Sequence, residues 1–138
     1  RLMRTNIQEQ MIPDSHRFAE QRQDTIELFE RLMQVSDEAI RITPGMNLVE
    51  GLRKRGITPL KAHCVCSTIT SIPDDFIHYS EPRIPTVRES ARLQSFPDNF
   101  VFLGNQGAQF RQVGNAVPPL LAKALGEAVK KIISGENK

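Results

Sequence analysis

Three groups of residues in this 138-residue chain have types and spacings suited to chemistry. The first is Gly114-Asn115-Ala116-Val117-Pro118-Pro119. A glycine allows backbone geometry that a side chain forbids. The asparagine offers both an amide donor and a carbonyl acceptor. Ala116 and Val117 are small enough to let the backbone approach a ligand, and the two prolines lower the entropy lost on binding. Taken alone, the same residues also describe a rigid helix start. The second group is Arg88 and Arg92, four apart and so on one helical face. They suit phosphates, and they equally suit carboxylates of the chain such as Glu89 or Asp98. The third group is His63, Cys64, Cys66 and His78. Zinc favours cysteines two to four residues apart in sets of four ligands, and the one-residue gap here does not make such a set. No metal is expected. The same gap is awkward for a disulfide, so both thiols are expected to be reduced.

Elements must position these groups. Residues 15–35 carry Phe18, Ile26, Phe29, Leu32 and Met33 at helical spacing and predict an amphipathic helix. Pro44-Gly45 marks a loop. Residues 47–56 predict a short helix with Asn47 as N-cap and Gly56 as stop. Its last turn holds Arg53-Lys54-Arg55, a run that suits a DNA backbone but reads more simply as solvated charge at a helix C-terminus. Residues 63–72, rich in Val, Ile, Thr and Cys, predict a strand. Thr86 and Glu89 form a capping box that opens a helix through about Ser95. A small helix is expected near Ala108–Val113. A last helix runs from Pro118 or Pro119 to about Ser134, with Gly135 as its stop. Leu120, Leu121, Leu125, Val129, Ile132 and Ile133 give it a broad apolar face. Such a face is sticky when exposed, and it is expected to fold back on the chain or to pack on a second copy.

Composition is that of an ordinary globular chain, with 39% hydrophobic and 25% charged residues. The net charge of +2 neither demands nor excludes a polyanionic partner. No apolar run approaches a membrane span.

Two blocks bring a family into view. Thr86, Arg88, Glu89, Ala91, Arg92, Leu93, Gln94, Phe96, Pro97 and Asp98 match a T-x-R-E-x-A-R-L-Q-x-F-P-D pattern, and Arg111 to Pro119 match R-Q-x-G-N-A-V-P-P. Dense and ordered over residues 84–125, this region resembles the C-terminal end of a DNA (cytosine-5) methyltransferase. Residues 77–83, Ile-His-Tyr-Ser-Glu-Pro-Arg, are similar to a further family segment, with Tyr79 where proline is usual. The resemblance implies an α+β fragment, mainly helical with a few short strands, forming the C-terminal portion of a Rossmann-like α/β methyltransferase. It implies a target-recognition portion over 1–107 and a segment over 108–138 that returns to the catalytic domain. Asn115, Ala116 and Val117 would line the S-adenosylmethionine site. Thr68, as part of Thr68-Ile69, and Arg83 and Arg88 would serve duplex DNA, although Thr68 reads more simply as an ordinary strand residue; for the 86–95 helix, organising the recognition portion is the preferred role. The implied setting is cytoplasmic, in a bacterium or phage, beside the nucleoid.

The family's chemistry is attack of a cysteine thiolate on C6 of a flipped-out cytosine, then methyl transfer to C5. It uses a Pro-Cys nucleophile, a Glu-Asn-Val acid and a Gly-rich cofactor loop. The sequence holds no Pro-Cys, no Gly-x-Gly, and a single Glu-Asn at Glu136-Asn137, followed by Lys. No catalytic residue is therefore assigned, and the chain alone is expected to be inactive. A missing catalytic domain or subunit is the implied partner. The alternative is a stand-alone or split-subunit DNA-binding module without catalysis of its own.

Overall fold

The structure is a computed structural model and describes residues 14–52 and 56–135. The basic run at 53–55 and the Glu136-Asn137 pair lie outside the described residues. Among those described are four α-helices: α1 (Gln23–Met33), α2 (Val87–Leu93), α3 (Gln106–Asn115) and α4 (Pro119–Ser134). Two very short strands, β1 (Thr58–Pro59) and β2 (Phe76–Ile77), pair in parallel, with Thr58 opposite Phe76. Ile57, just before β1, makes an antiparallel bridge to Ile42 through bonds of 2.8 and 2.9 Å.

Neighbouring side chains on a strand point to opposite faces, and β2 uses this to separate two cores. Phe76 joins Val87, Ala91, Phe96, Phe110 and Val113 on one side. Ile77 joins Phe29, Leu32, Ile42, Leu52 and Ile57 on the other. Each of these buried side chains except Ala91 contributes about 1.5–3 kcal/mol of transfer free energy. The first core clamps α2 against α3, and the second seats α1. A division between residues 107 and 108 falls inside α3, whose Phe110 and Val113 belong to the same core as α2.

The helix expected over 15–35 is confined to Gln23–Met33. Residues 15–22 are not helical, because their polar groups are committed elsewhere. Arg88 N donates to Ser15 O at 3.1 Å, and Gln106 Nε2 donates to Arg17 O at 3.1 Å. Phe18, assigned above to the helical stripe, instead packs under the Arg83 guanidinium at 4.7 Å. The expected strand over 63–72 is absent. Val65 is 95% exposed, Ile69 is buried in the first core, and Cys66 packs against that core only partly buried. β-propensity needs a neighbouring strand to express it, and the pairing falls to the flanking residues 58–59 and 76–77. Asn47 does not start a helix. It takes a left-handed φ of 51° and closes a 3-10 turn over Pro44–Met46.

Helices α2, α3 and α4 appear near where expected, but α3 is longer at both ends: Asn105 caps its start by accepting from Ala108 N at 2.9 Å, and its end takes in Gly114 and Asn115, expected in the turn before α4. The apolar face of α4 does not fold back on the chain. None of its residues is buried, and Leu121, Leu125 and Val129 are all about half exposed. No helix among the described residues is long and apolar enough to cross a membrane.

Candidate cofactor wall and recognition surface

The site is organised by α2. The capping box forms as expected: Glu89 N donates to Thr86 Oγ1 at 3.2 Å and Thr86 N donates to Glu89 Oε2 at 2.7 Å. Glu89 also accepts a two-pronged bond from Arg83, at 2.8 and 2.9 Å. Burial by itself would raise the Glu89 carboxyl, but Arg83 and the Thr86 amide outweigh it and hold it down at about 2. His78 Nε2 lies 3.5 Å from the same carboxylate. Burial, then the Arg83 charge, pushes its pKa below the usual imidazole value.

Arg88 is fully buried. Its guanidinium donates to Asp14 O (2.8 Å), Pro97 O (3.2 Å) and Phe100 O (2.6 Å) and lies over the Phe102 ring. Placed so, it has no surface to offer a phosphate. A planar fork of donors suits this task of tying three loop carbonyls to a helix. Arg92 pairs with the buried Asp98 through bonds of 2.8 and 2.7 Å. Arg83 and Arg88, both expected at DNA, thus commit their donors within the chain.

Next to α2, the end of α3 carries the Gly-Asn block. Gly114 is a glycine for a steric reason. A Cβ built there would sit 2.3 Å from Ser71 N and 2.4 Å from Thr70 C, so the helix end packs directly on the backbone of residues 70–71. Gln94 Nε2 donates to Val113 O at 3.1 Å, tying the α3 end to α2. Beyond this anchor the Asn115 side chain is exposed, with no hydrogen bond among the described residues. Val117 is 60% exposed and Ala116 half-buried. A groove of about 370 Å³ runs past Thr68, Ile69, Gln94, Gly114 and Ala116. It brings the exposed Thr68 and the half-buried Ala116, far apart in sequence, to one place, while Asn115 and Val117 lie outside its lining. An exposed amide beside a closely packed helix end is free to donate to and accept from a ligand.

A larger cavity of about 530 Å³ is lined by Lys61, Cys64, Cys66, His78, Glu89 and Arg92 among others. Burial pushes the Cys66 thiol up to about 11, so it is protonated at neutral pH and not a nucleophilic thiolate. Both cysteines are free. Among the described residues no three His, Cys, Asp or Glu side chains converge on a metal position. Gln94 lies within the 86–98 pattern, where residue type alone assigns it no role. Its burial and its bond to Val113 O, 19 residues away, arise only in the fold.

A family model for C-5 cytosine-specific DNA methylase matches residues 2–131. The chain belongs to that family. Among its methylase relatives, the putative type II methyltransferase M.OihORF3336P of Oceanobacillus iheyensis is 53% identical over 74 residues, covering 54% of this chain and 16% of that protein. Type II methyltransferase M1.HphI of Haemophilus parahaemolyticus is 64% identical over 59 residues, 43% of this chain and 16% of its own. DNA (cytosine-5)-methyltransferase 1B of Oryza sativa is 52% identical over 60 residues, 44% of this chain and 4% of its own. The methylase match thus covers about one sixth of the length of the first two relatives.

Proposed function

We propose that this chain is the C-terminal portion of a DNA (cytosine-5) methyltransferase, supplying target recognition and one wall of the S-adenosylmethionine pocket. The nucleophile and the remaining walls come from polypeptide outside these residues, the catalytic part of a Rossmann-like fold. The observation that carries this reading is α4. Leu121, Leu125 and Val129 stand exposed on a helix that begins two residues after the Gly-Asn block's last small residue. A soluble chain rarely leaves such a stripe uncovered, and a catalytic domain seated on it would face Asn115 as well. The sequence agrees, since it holds no Pro-Cys and no Gly-x-Gly.

In this reading Asn115, with Ala116 and Val117, borders the cofactor, which supplies an activated methyl group when bound. The Asn115 amide orients it by hydrogen bonding. Thr68, exposed beside the same wall, contacts DNA. Arg83 and Arg88 act on DNA only indirectly, by holding the 77–100 region in shape. The chain's setting is then that of restriction-modification and DNA methylation, with duplex DNA as partner.

The test is a methyl-transfer assay with labelled S-adenosylmethionine and duplex DNA. The chain alone should transfer nothing, and mixing it with the enzyme's catalytic portion should restore transfer to cytosine C5. Transfer by the chain unaided would overturn the proposal. The stand-alone binding module makes a different prediction: duplex binding by the chain alone, specific for a short sequence and steeply salt-dependent, with no gain in methyl transfer on mixing.

A further inference from the structure

The geometry points to Gln94 and Ser95 as positioning residues that hold the Gly114–Pro119 segment, and with it the cofactor wall, from both ends. This rests on the function proposed above. Helix α2 ends in a complete Schellman arrangement: Ser95 N donates to Arg92 O at 2.9 Å and Phe96 N donates to Ala91 O at 2.9 Å. Ser95 takes the left-handed φ of 63° that the arrangement requires. Glycine is the default there, because a Cβ is unfavourable in that region. A serine in its place has a second task, and its hydroxyl shows which. Ser95 Oγ accepts the Leu120 amide at 3.1 Å.

Leu120 is the second residue of α4, and first-turn amides have no partner inside their own helix. The residue normally placed to accept them is the N-cap. Here the N-cap is Pro118, which makes no side-chain cap bond. The acceptor that α4 cannot supply comes instead from the end of α2. One residue earlier, Gln94 holds Val113 O at 3.1 Å. Two adjacent residues therefore grip the carbonyl before Gly114 and the amide after Pro119, with Asn115, Ala116 and Val117 between them. Since no residue of α4 is buried in this chain, these grips set where the helix points and where Asn115 stands. They also transmit the placement of α2, the recognition organiser, to the cofactor wall.

The test replaces Ser95 with glycine. Ser95→Gly keeps the left-handed turn and removes the hydroxyl, so a purely conformational role for Ser95 predicts an unchanged or raised Tm and no other effect. The capping role predicts that, in the 138-residue chain, Leu120 amide exchange speeds up about fivefold, the equivalent of a lost cap bond, while Phe96 exchange is unchanged. In the assembly with the catalytic portion, KM for S-adenosylmethionine rises several-fold while kcat falls less. Ser95→Asn, which tolerates left-handed backbone and carries an acceptor, restores part of both. Unchanged Leu120 exchange would overturn the inference, as would faster exchange with an unchanged KM. If the unsubstituted assembly transfers no methyl group, the proposed function fails instead, and the Leu120 exchange still decides whether Ser95 caps α4.

Discussion

At the scale of single residues, three positions carry strict physical demands. Gly114 admits no side chain, since a Cβ would meet Ser71 N at 2.3 Å and Thr70 O at 2.5 Å, both backbone atoms that cannot swing aside. Gly114→Ala should therefore cost roughly 3 kcal/mol through forced separation of α3 from residues 70–71, seen as a lowered thermal midpoint. The reason differs from the one its sequence context suggests: the glycine is needed for packing, and it lies within α3. Glu89 and His78 make stability depend on acid. The folded state holds Glu89 down at about 2, from 4.5, and holds His78 below 6.5. A group whose pKa is lower folded than unfolded stabilises the fold above its unfolded value and loses that contribution as pH falls. Stability measured by denaturant titration should thus decline first as pH drops below 6.5, through His78, and again between 4.5 and about 2, through Glu89. A Glu89→Gln variant should lose the second decline and keep the first.

At the scale of elements, α2 is seven residues long and yet connects to nearly everything that matters. Its start is fixed by the capping box, and Thr86→Ala should cost about 1 kcal/mol, readable as a lower urea midpoint with unchanged slope. Its interior holds Arg88, and its end holds Gln94 and Ser95. This helix was legible in the sequence because its signals are local: a Thr-x-x-Glu pair at the start and a Phe-Pro-Asp turn after it. Helix α4 was legible for the same reason, with Pro119 at its start and Gly135 at its stop. The misread elements were those governed by distant partners. Residues 15–22 look helical by periodicity, but their carbonyls and rings serve α2, α3 and Arg83. Residues 63–72 have strand composition without a strand to pair with. The Gly-Asn block was visible from its residue types and family pattern. Its attachment to Gln94 was not, because a contact across 19 residues leaves no periodic trace.

At the scale of the whole molecule, two small cores on either side of β2 fold the chain while α4 stands off with its apolar face uncovered. That separation makes a clean prediction. Leu125→Glu changes a residue that is 55% exposed and absent from both cores, so the thermal midpoint of the chain should shift little. The same change should abolish rescue of methyl transfer by the catalytic portion, because a charge would be buried without a partner at that contact. The most direct test of the central claim, that this chain completes a cofactor pocket, is calorimetric titration of S-adenosylmethionine into the assembled protein. Binding should be tighter in the assembly than in the catalytic portion alone, and Asn115→Ala in this chain should weaken it about tenfold, the loss of one well-placed polar contact. Equal affinity with and without this chain, or no effect of Asn115→Ala, would contradict the account.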